Sequence, residues 1–176
     1  MKLSPKKLHE RFIELIEDDV IQLSDISKKP LEVDLKQPLP SKIRLYIFNM
    51  TDPPGGRTLG EMKVQLILPG QQRGTRADFD TSDGRIVLLA GYNSFTDVFV
   101  FWDAGMYYNI SYSRNVQAYT EAINEAIAGN IAEHKRKLWE GGWEISIAVR
   151  SDKLKEAIQR RVKRTIERIS GEYTDA

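Results

Sequence analysis

From Lys42 onward the apolar residues of this chain stop recurring every third or fourth position and begin to alternate. Ile43, Leu45 and Ile47 fall on one side and Arg44, Tyr46 and Phe48 on the other, a period of two that suits a strand and not a helix. Met62, Val64, Leu66 and Leu68 repeat the pattern before Pro69-Gly70, and Trp143, Ile145, Ile147 and Val149 repeat it near the end. Two runs between them, residues 85–92 and 97–102, are apolar almost throughout, which implies strands covered on both faces. Asn93-Ser94-Phe95-Thr96 reads as the turn joining those two, and residues 107–112 as a further strand. The dense turn signal Asp52-Pro-Pro-Gly-Gly-Arg57 predicts that the strands on either side of it form a hairpin with a long connecting loop.

Helical spacing flanks this β core of residues 42–150. Ser4-Pro5 has the chemistry of an N-cap followed by proline at the first helical position, and Leu8, Phe12, Leu15, Ile16 and Leu23 then recur on one face, predicting a helix within residues 1–26. Pro30, Pro38 and Pro40 make residues 27–41 a connector, with room for a short strand at 31–35. Ala122, Ile123, Ala126, Ile127 and Ile131 predict one helix inserted in the core at 120–132. Ser151 is placed to cap a terminal helix over 151–171. Its stripe is Leu154, Ala157, Ile158, Val162, Ile166 and Ile169, and Lys153, Lys155, Arg160, Arg161, Lys163, Arg164 and Arg168 crowd the remaining faces.

The resulting class is α+β, in a chain of 176 residues that needs no division into domains. With no cysteine and only His9 and His134, neither a disulfide framework nor a thiolate or histidine-rich metal site is expected, and no cofactor fingerprint is present. The first ten residues lack the apolar core of a signal peptide and no apolar run reaches membrane length, so a cytoplasmic location is expected. Lys and Arg number 26 against 25 Asp and Glu; an argument for nucleic acid must therefore come from local charge.

Three functions compete. Glu61-Met62-Lys63 at the start of a strand, with Asp52 as second carboxylate, could hold a hydrolytic metal and assist an attacking water; the bland alternative is a strand whose polar face points to solvent. The loops carry residues suited to phosphate and base contact: Arg57; then Gln71, Gln72, Arg73 and Arg76; then Asn93 and Ser94; then Ser113, Arg114, Asn115 and Gln117. Arginine can bond guanine bidentately, and asparagine or glutamine can do so with adenine. In this reading Arg57, Arg73, Arg76 and Arg114 reach guanine edges or phosphates, Gln71, Gln72, Asn93 and Asn115 read bases, Ser94 is a further DNA contact, and Lys63 holds the backbone. The third possibility is a protein-interaction domain that presents its terminal helix to a partner. Trp139 and Trp143, on either side of Glu140-Gly-Gly, are expected to serve packing.

A family resemblance favours the second of these. Tyr46-Ile-Phe-Asn-Met-Thr51, Arg57, Gly60-Glu-Met-Lys-Val-Gln65, Pro69-Gly70-Gln71, Phe79-Asp80, Val98-Phe-Val-Phe-Trp-Asp-Ala104 and Tyr112-Ser-Arg-Asn115 together resemble the DNA-recognition domains of restriction endonucleases. These include the pseudobarrels of EcoRII and BfiI type and the N-terminal domains of McrB-like and LlaJI-like restriction subunits. The likeness covers residues 42–117 in pattern and layout. It implies an open, mostly antiparallel seven-stranded barrel flanked by helices, whose loop arms clasp the major groove of double-stranded DNA while a separate nuclease or translocase domain or subunit acts. By position, residues 52–60 would be the first arm, and residues 111–117 or 91–96 the second.

Overall fold

The computed structural model describes residues 2–51 and 62–172. It opens with helix α1 (Pro5–Ile16), where the Ser4 hydroxyl accepts from the Lys7 amide at 3.2 Å and proline occupies the first turn. Leu8, Phe12 and Ile16 are buried along one face, each contributing about 1.5–3 kcal/mol of apolar burial. The helix is shorter than the sequence spacing predicts. Glu17, Asp18 and Asp19 form a single 3-10 turn, because three carboxylates at the negative end of the helix dipole oppose its continuation. The chain then enters strand β1 (Val20–Leu23) instead of carrying Leu23 onto the helix.

Strands β2 (Leu31–Leu35), β3 (Lys42–Asn49), β6 (Ile86–Asn93), β7 (Val98–Trp102), β10 (Ala132–Lys137) and β11 (Trp143–Arg150) join β1 in one seven-stranded sheet of order β1-β2-β3-β6-β7-β11-β10. That sheet has the number of strands the resemblance implies for its barrel, but among the described residues four more strands lie outside it and the architecture differs. The sheet is open and mixed, not a barrel, since β3 and β6 run parallel from Ile43↔Ile86 to Asn49↔Tyr92. Alternation reveals a strand's two faces but not its neighbour, and a parallel pair needs only that both strands be covered on each side.

Both faces are covered, as the continuous apolar runs require. Ile43, Leu45, Ile47, Leu88, Ala90, Phe99, Phe101, Ile147 and Val149 pack with α1 and with α3 (Leu154–Ile169). Leu89, Val98, Val100, Trp102 and Ala148 face the opposite layer, made of helix α2 (Thr120–Ile127) and a two-stranded ribbon. The ribbon pairs β4 (Met62–Leu66) with β9 (Arg114–Ala118), and a smaller pair joins β5 (Arg76–Ala77) to β8 (Ile110–Ser111). The hairpin predicted between β3 and β4 is thus replaced. Beyond the end of β3, Thr51 makes an isolated antiparallel bridge to Lys63, while β4 takes its ladder from β9.

Other boundaries moved for local reasons. Residues 107–112 contribute only β8. Strand β9 carries little sequence signal, since Arg114, Asn115 and Gln117 leave only Val116 and Ala118 as its apolar residues. Helix α2 stops at Ile127, ahead of Gly129 at φ +98°, and Ala132 opens β10 instead of extending a helix to that residue. Ser151 lies in a 3-10 turn before α3, and its hydroxyl bonds the Asp97 carboxylate instead of capping the helix.

The ribbon can lie close on the sheet because β6 carries glycine where they meet. A Cβ at Gly91 would stand 2.9 Å from Val64 Cγ1 and 3.1 Å from two ring carbons of Trp102. Trp102, wholly buried, donates its indole N–H to the Gln117 carbonyl at 3.2 Å, which fixes β9 to the sheet. No helix among the described residues is long and apolar enough to cross a membrane.

Candidate nucleic-acid interface

The ribbon has an inner and an outer side. Met62, Val64, Leu66, Val116 and Ala118 are buried against the sheet. The alternating positions face away, and the register sets Lys63 opposite Gln117 and Gln65 opposite Asn115, so one lysine and three carboxamides share a single surface. Gln65, Asn115 and Gln117 are exposed and Lys63 is half-buried. A two-stranded ribbon is narrow enough for the major groove, and carboxamides offer the donor and acceptor pair that an adenine edge requires.

Cations and rings border this surface on two sides. Beside the Lys63 end, Gln65 shares a shallow cleft with Lys2, Lys29, Asn49 and Thr51. The Lys29 ammonium stands 3.7 Å from the centre of the Phe48 ring, and burial pulls its pKa down to about 8. Beside β9, a cleft of about 230 Å³ opens between the ribbon and the turn linking β10 to β11, lined by Asn115, Gln117, Tyr119, Arg136, Lys137 and Trp139 among others. Trp139 is 97% exposed there, the reverse of the packing role its spacing suggested.

A buried network supports the floor of that cleft. Glu144 on β11 is wholly buried and accepts from the Tyr107 hydroxyl at 2.9 Å, the Asp103 amide at 3.1 Å and Arg136 Nε at 3.1 Å. Burial pushes its carboxyl pKa up against the pull of the Arg136 charge, and burial likewise pushes the Tyr107 phenol up. Arg136 also donates to the Tyr107 hydroxyl at 3.2 Å and to the Gln117 carbonyl at 3.0 Å. Its guanidinium is thereby locked in place, tying β10 to β9. Tyr119 stacks on His134 with ring centres 4.0 Å apart, and burial followed by the Arg136 charge lowers the pKa of that histidine. Across the cleft Arg114 reaches Glu140, Nη2 to Oε1, at 2.6 Å, with its guanidinium 4.9 Å from the centre of the Tyr107 ring.

The residues singled out in the sequence divide sharply. Lys63 and Asn115 share the outer face of the ribbon, whereas Arg114, opposite buried Leu66, alternates to the other side and turns toward Glu140 and the Tyr107 ring. Gln71 is spent internally: its Oε1 accepts from the Leu68 amide, and its Nε2 donates to the carbonyls of Thr75 and Ile110. Asn93 likewise donates to the Met50 carbonyl at 2.8 Å and accepts from Thr96, while Ser94 sits half-buried in the same turn. Gln72 and Arg73 are exposed in the loop beyond the Leu66 end of the ribbon, and Arg76 there donates to the Asn109 carbonyl at 2.8 Å. That loop is pinned to the sheet. Buried Arg44 donates to the carbonyls of Asp80 and Ser82, both at 2.9 Å, and the Tyr46 hydroxyl accepts from the Asp80 amide.

Arg57 lies outside the described residues, as do Asp52 and Glu61 of the nuclease reading. Among the described residues no group of three or more histidine, aspartate or glutamate side chains is placed to hold a metal. Several cations of the basic terminal helix dock it onto the rest of the fold. Arg164 and Arg160 pair with Glu133 on β10, Lys155 with Asp19, and Arg168 with the buried Asp103. Sequence reasoning missed Gln65, Tyr119, Arg136 and Trp139. The alternation Lys63, Gln65 and Asn115, Gln117 was visible as polar residues, but their pairing across two distant strands was not.

A further cleft, of about 460 Å³, lies between α3 and the start of β6, with Ile86, Val87, Leu88, Val162 and Ile169 on its walls. Ile166 and Ile169 project beside it, the latter 71% exposed.

Residues 41–158 match the family model described as methylase-associated X1. No curated protein and no solved structure was found to match the chain.

Proposed function

The chain belongs to the methylase-associated X1 family, and from that premise we propose that it is a double-stranded DNA-recognition module of a restriction-modification system. A methylase-associated family fits that setting, because methylation and cleavage must be directed to the same sequence. The observation that carries the reading is the outer face of the ribbon, where the cross-strand pairs Lys63–Gln117 and Gln65–Asn115 set one cation and three carboxamides on a rigid, groove-sized support. Tethering to Trp102 and Arg136 through the Gln117 carbonyl holds that face in position before DNA arrives, so little ordering cost falls on binding.

The resemblance placed recognition on loop arms; the reading supported here places it on the ribbon, with Arg114 at its edge and Gln72 and Arg73 as outlying contacts. Fluorescence anisotropy with randomised duplex pools, unmodified and cytosine-methylated, tests it at two salt concentrations. Binding should weaken with salt and enrich a sequence. Gln65→Ala and Asn115→Ala should each flatten the preference by about 1–3 kcal/mol at one base position, while Lys63→Ala weakens all duplexes alike. Failure to bind any duplex would sink the reading.

A second reading rests on the apolar cleft beside α3 and the exposed Ile166 and Ile169. This end of the helix is a candidate face for a nuclease, translocase or methylase subunit. Association through it should be insensitive to salt and lost in Ile169→Asp, with DNA binding by the ribbon unchanged.

A further inference from the structure

We infer that the cleft between β9 and the β10–β11 turn receives one nucleobase unstacked from the bound duplex, with Trp139 and Tyr119 as its stacking partners. The inference rests on the DNA-recognition reading above and names what that surface does beyond groove contact. A tryptophan 97% exposed at a turn, next to a tyrosine 42% exposed, leaves two large rings at the mouth of a cavity of about 230 Å³. Every base presents a flat face, so aromatic rings so placed can take a base of any identity.

The surroundings supply what stacking alone lacks. Tyr119 is held from behind by His134, ring centres 4.0 Å apart, and by Arg136, whose guanidinium carbon lies 5.6 Å from the centre of the tyrosine ring. It is therefore a fixed platform and not a swinging side chain. Asn115 and Gln117 line the same cavity and bring both donors and acceptors, which the hydrogen-bonding edge of an extruded base needs. Arg114 and Lys137 line it too, within reach of the flanking phosphates. Among the described residues Glu140 is the one carboxylate on the lining, and Arg114 neutralises it.

The cost of the step lies in unstacking and unpairing the base, and it is least where the base has no partner. The experiment follows from that difference. Two duplexes of the enriched sequence are compared, fully paired or with one base left unopposed, each in a version carrying 2-aminopurine at that position. Anisotropy and 2-aminopurine emission are read together. The unopposed duplex should bind at least about tenfold more tightly, and 2-aminopurine emission should change on binding. Trp139→Ala should bind the two duplexes equally, and Trp139→Phe should keep most of the preference. Duplexes that bind equally to the wild-type chain, or a preference that survives in Trp139→Ala, would overturn the inference while leaving DNA recognition standing. Absence of binding to every duplex would remove both.

Discussion

Arg114 and Glu140 close on one another across the mouth of the β9 cleft, guanidinium Nη2 to carboxylate Oε1 at 2.6 Å. The pair joins two segments that no ladder connects, the ribbon and the β10–β11 turn. It also places a carboxylate of that lining, Glu140, where phosphates would approach. Glu140→Ala should therefore tighten DNA binding by about threefold to tenfold at low salt, with the gain fading as salt screens it. The loss to fold stability should stay under about 1 kcal/mol, as for other exposed pairs. Weaker binding by the variant, measured by anisotropy, would place the cleft off the DNA path.

Gly91 is where the ribbon meets the sheet, and there is no room for a side chain. With Val64 Cγ1 at 2.9 Å and Trp102 at 3.1 Å from the position of a Cβ, Gly91→Val should lift β4 off β6. The expected loss is about 1–3 kcal/mol in urea unfolding, and DNA binding should fall with it. A variant as stable as the parent would show that the two layers are less tightly apposed.

Gln71 and Asn93 were candidates for base reading and prove to be braces. Gln71→Ala leaves the Leu68 amide and the Ile110 carbonyl without their partner, and should cost about 1–3 kcal/mol of stability. Its sequence preference in the pooled-duplex assay should not change. A shift in preferred sequence at unchanged stability would return Gln71 to the interface.

Lys29 gives a pH dependence with a definite sign. Burial lowers its pKa to about 8 in the folded chain, below its ordinary value, so between the two values the unfolded chain holds the extra proton. Folding stability should then rise with pH above about 8 and level off near the ordinary lysine value. DNA binding should move the opposite way, weakening as pH rises through about 8, because a neutral amine attracts no phosphate. Lys29→Arg should flatten both profiles, read by thermal melts and anisotropy. Parallel profiles for variant and parent would place the titration elsewhere.

Much of the fold was legible because burial writes itself into the sequence. The near-continuous apolarity of residues 85–92 and 97–102 announced strands covered on both faces, and that is where β6 and β7 lie. The spacing of Leu154, Ala157 and Ile158 announced the buried face of α3. What could not be read was partnership. Nothing in Met62–Leu66 says that its ladder is β9, some fifty residues later, instead of the adjacent β3, and nothing in β3 says that β6 joins it in parallel. The site was hidden for the same reason. Lys63 and Asn115 were singled out separately, but a surface made of cross-strand pairs exists only once the register is known. Trp139 misled because an indole is nearly always worth burying, and a composition cannot show where one is left uncovered.

The parallel seam between β3 and β6 has a consequence for how the protein would respond to its ligand. Among the described strands it is the one parallel pair, and it joins an antiparallel block of β1, β2 and β3 to another of β6, β7, β11 and β10. The chain crosses from one block to the other through β4, so half of the ribbon is also the covalent bridge over the seam. A duplex gripping that ribbon would clamp the bridge, and amide hydrogens along residues 43–47 and 86–90 should then exchange more slowly with solvent, though those residues line neither of the clefts that border the ribbon.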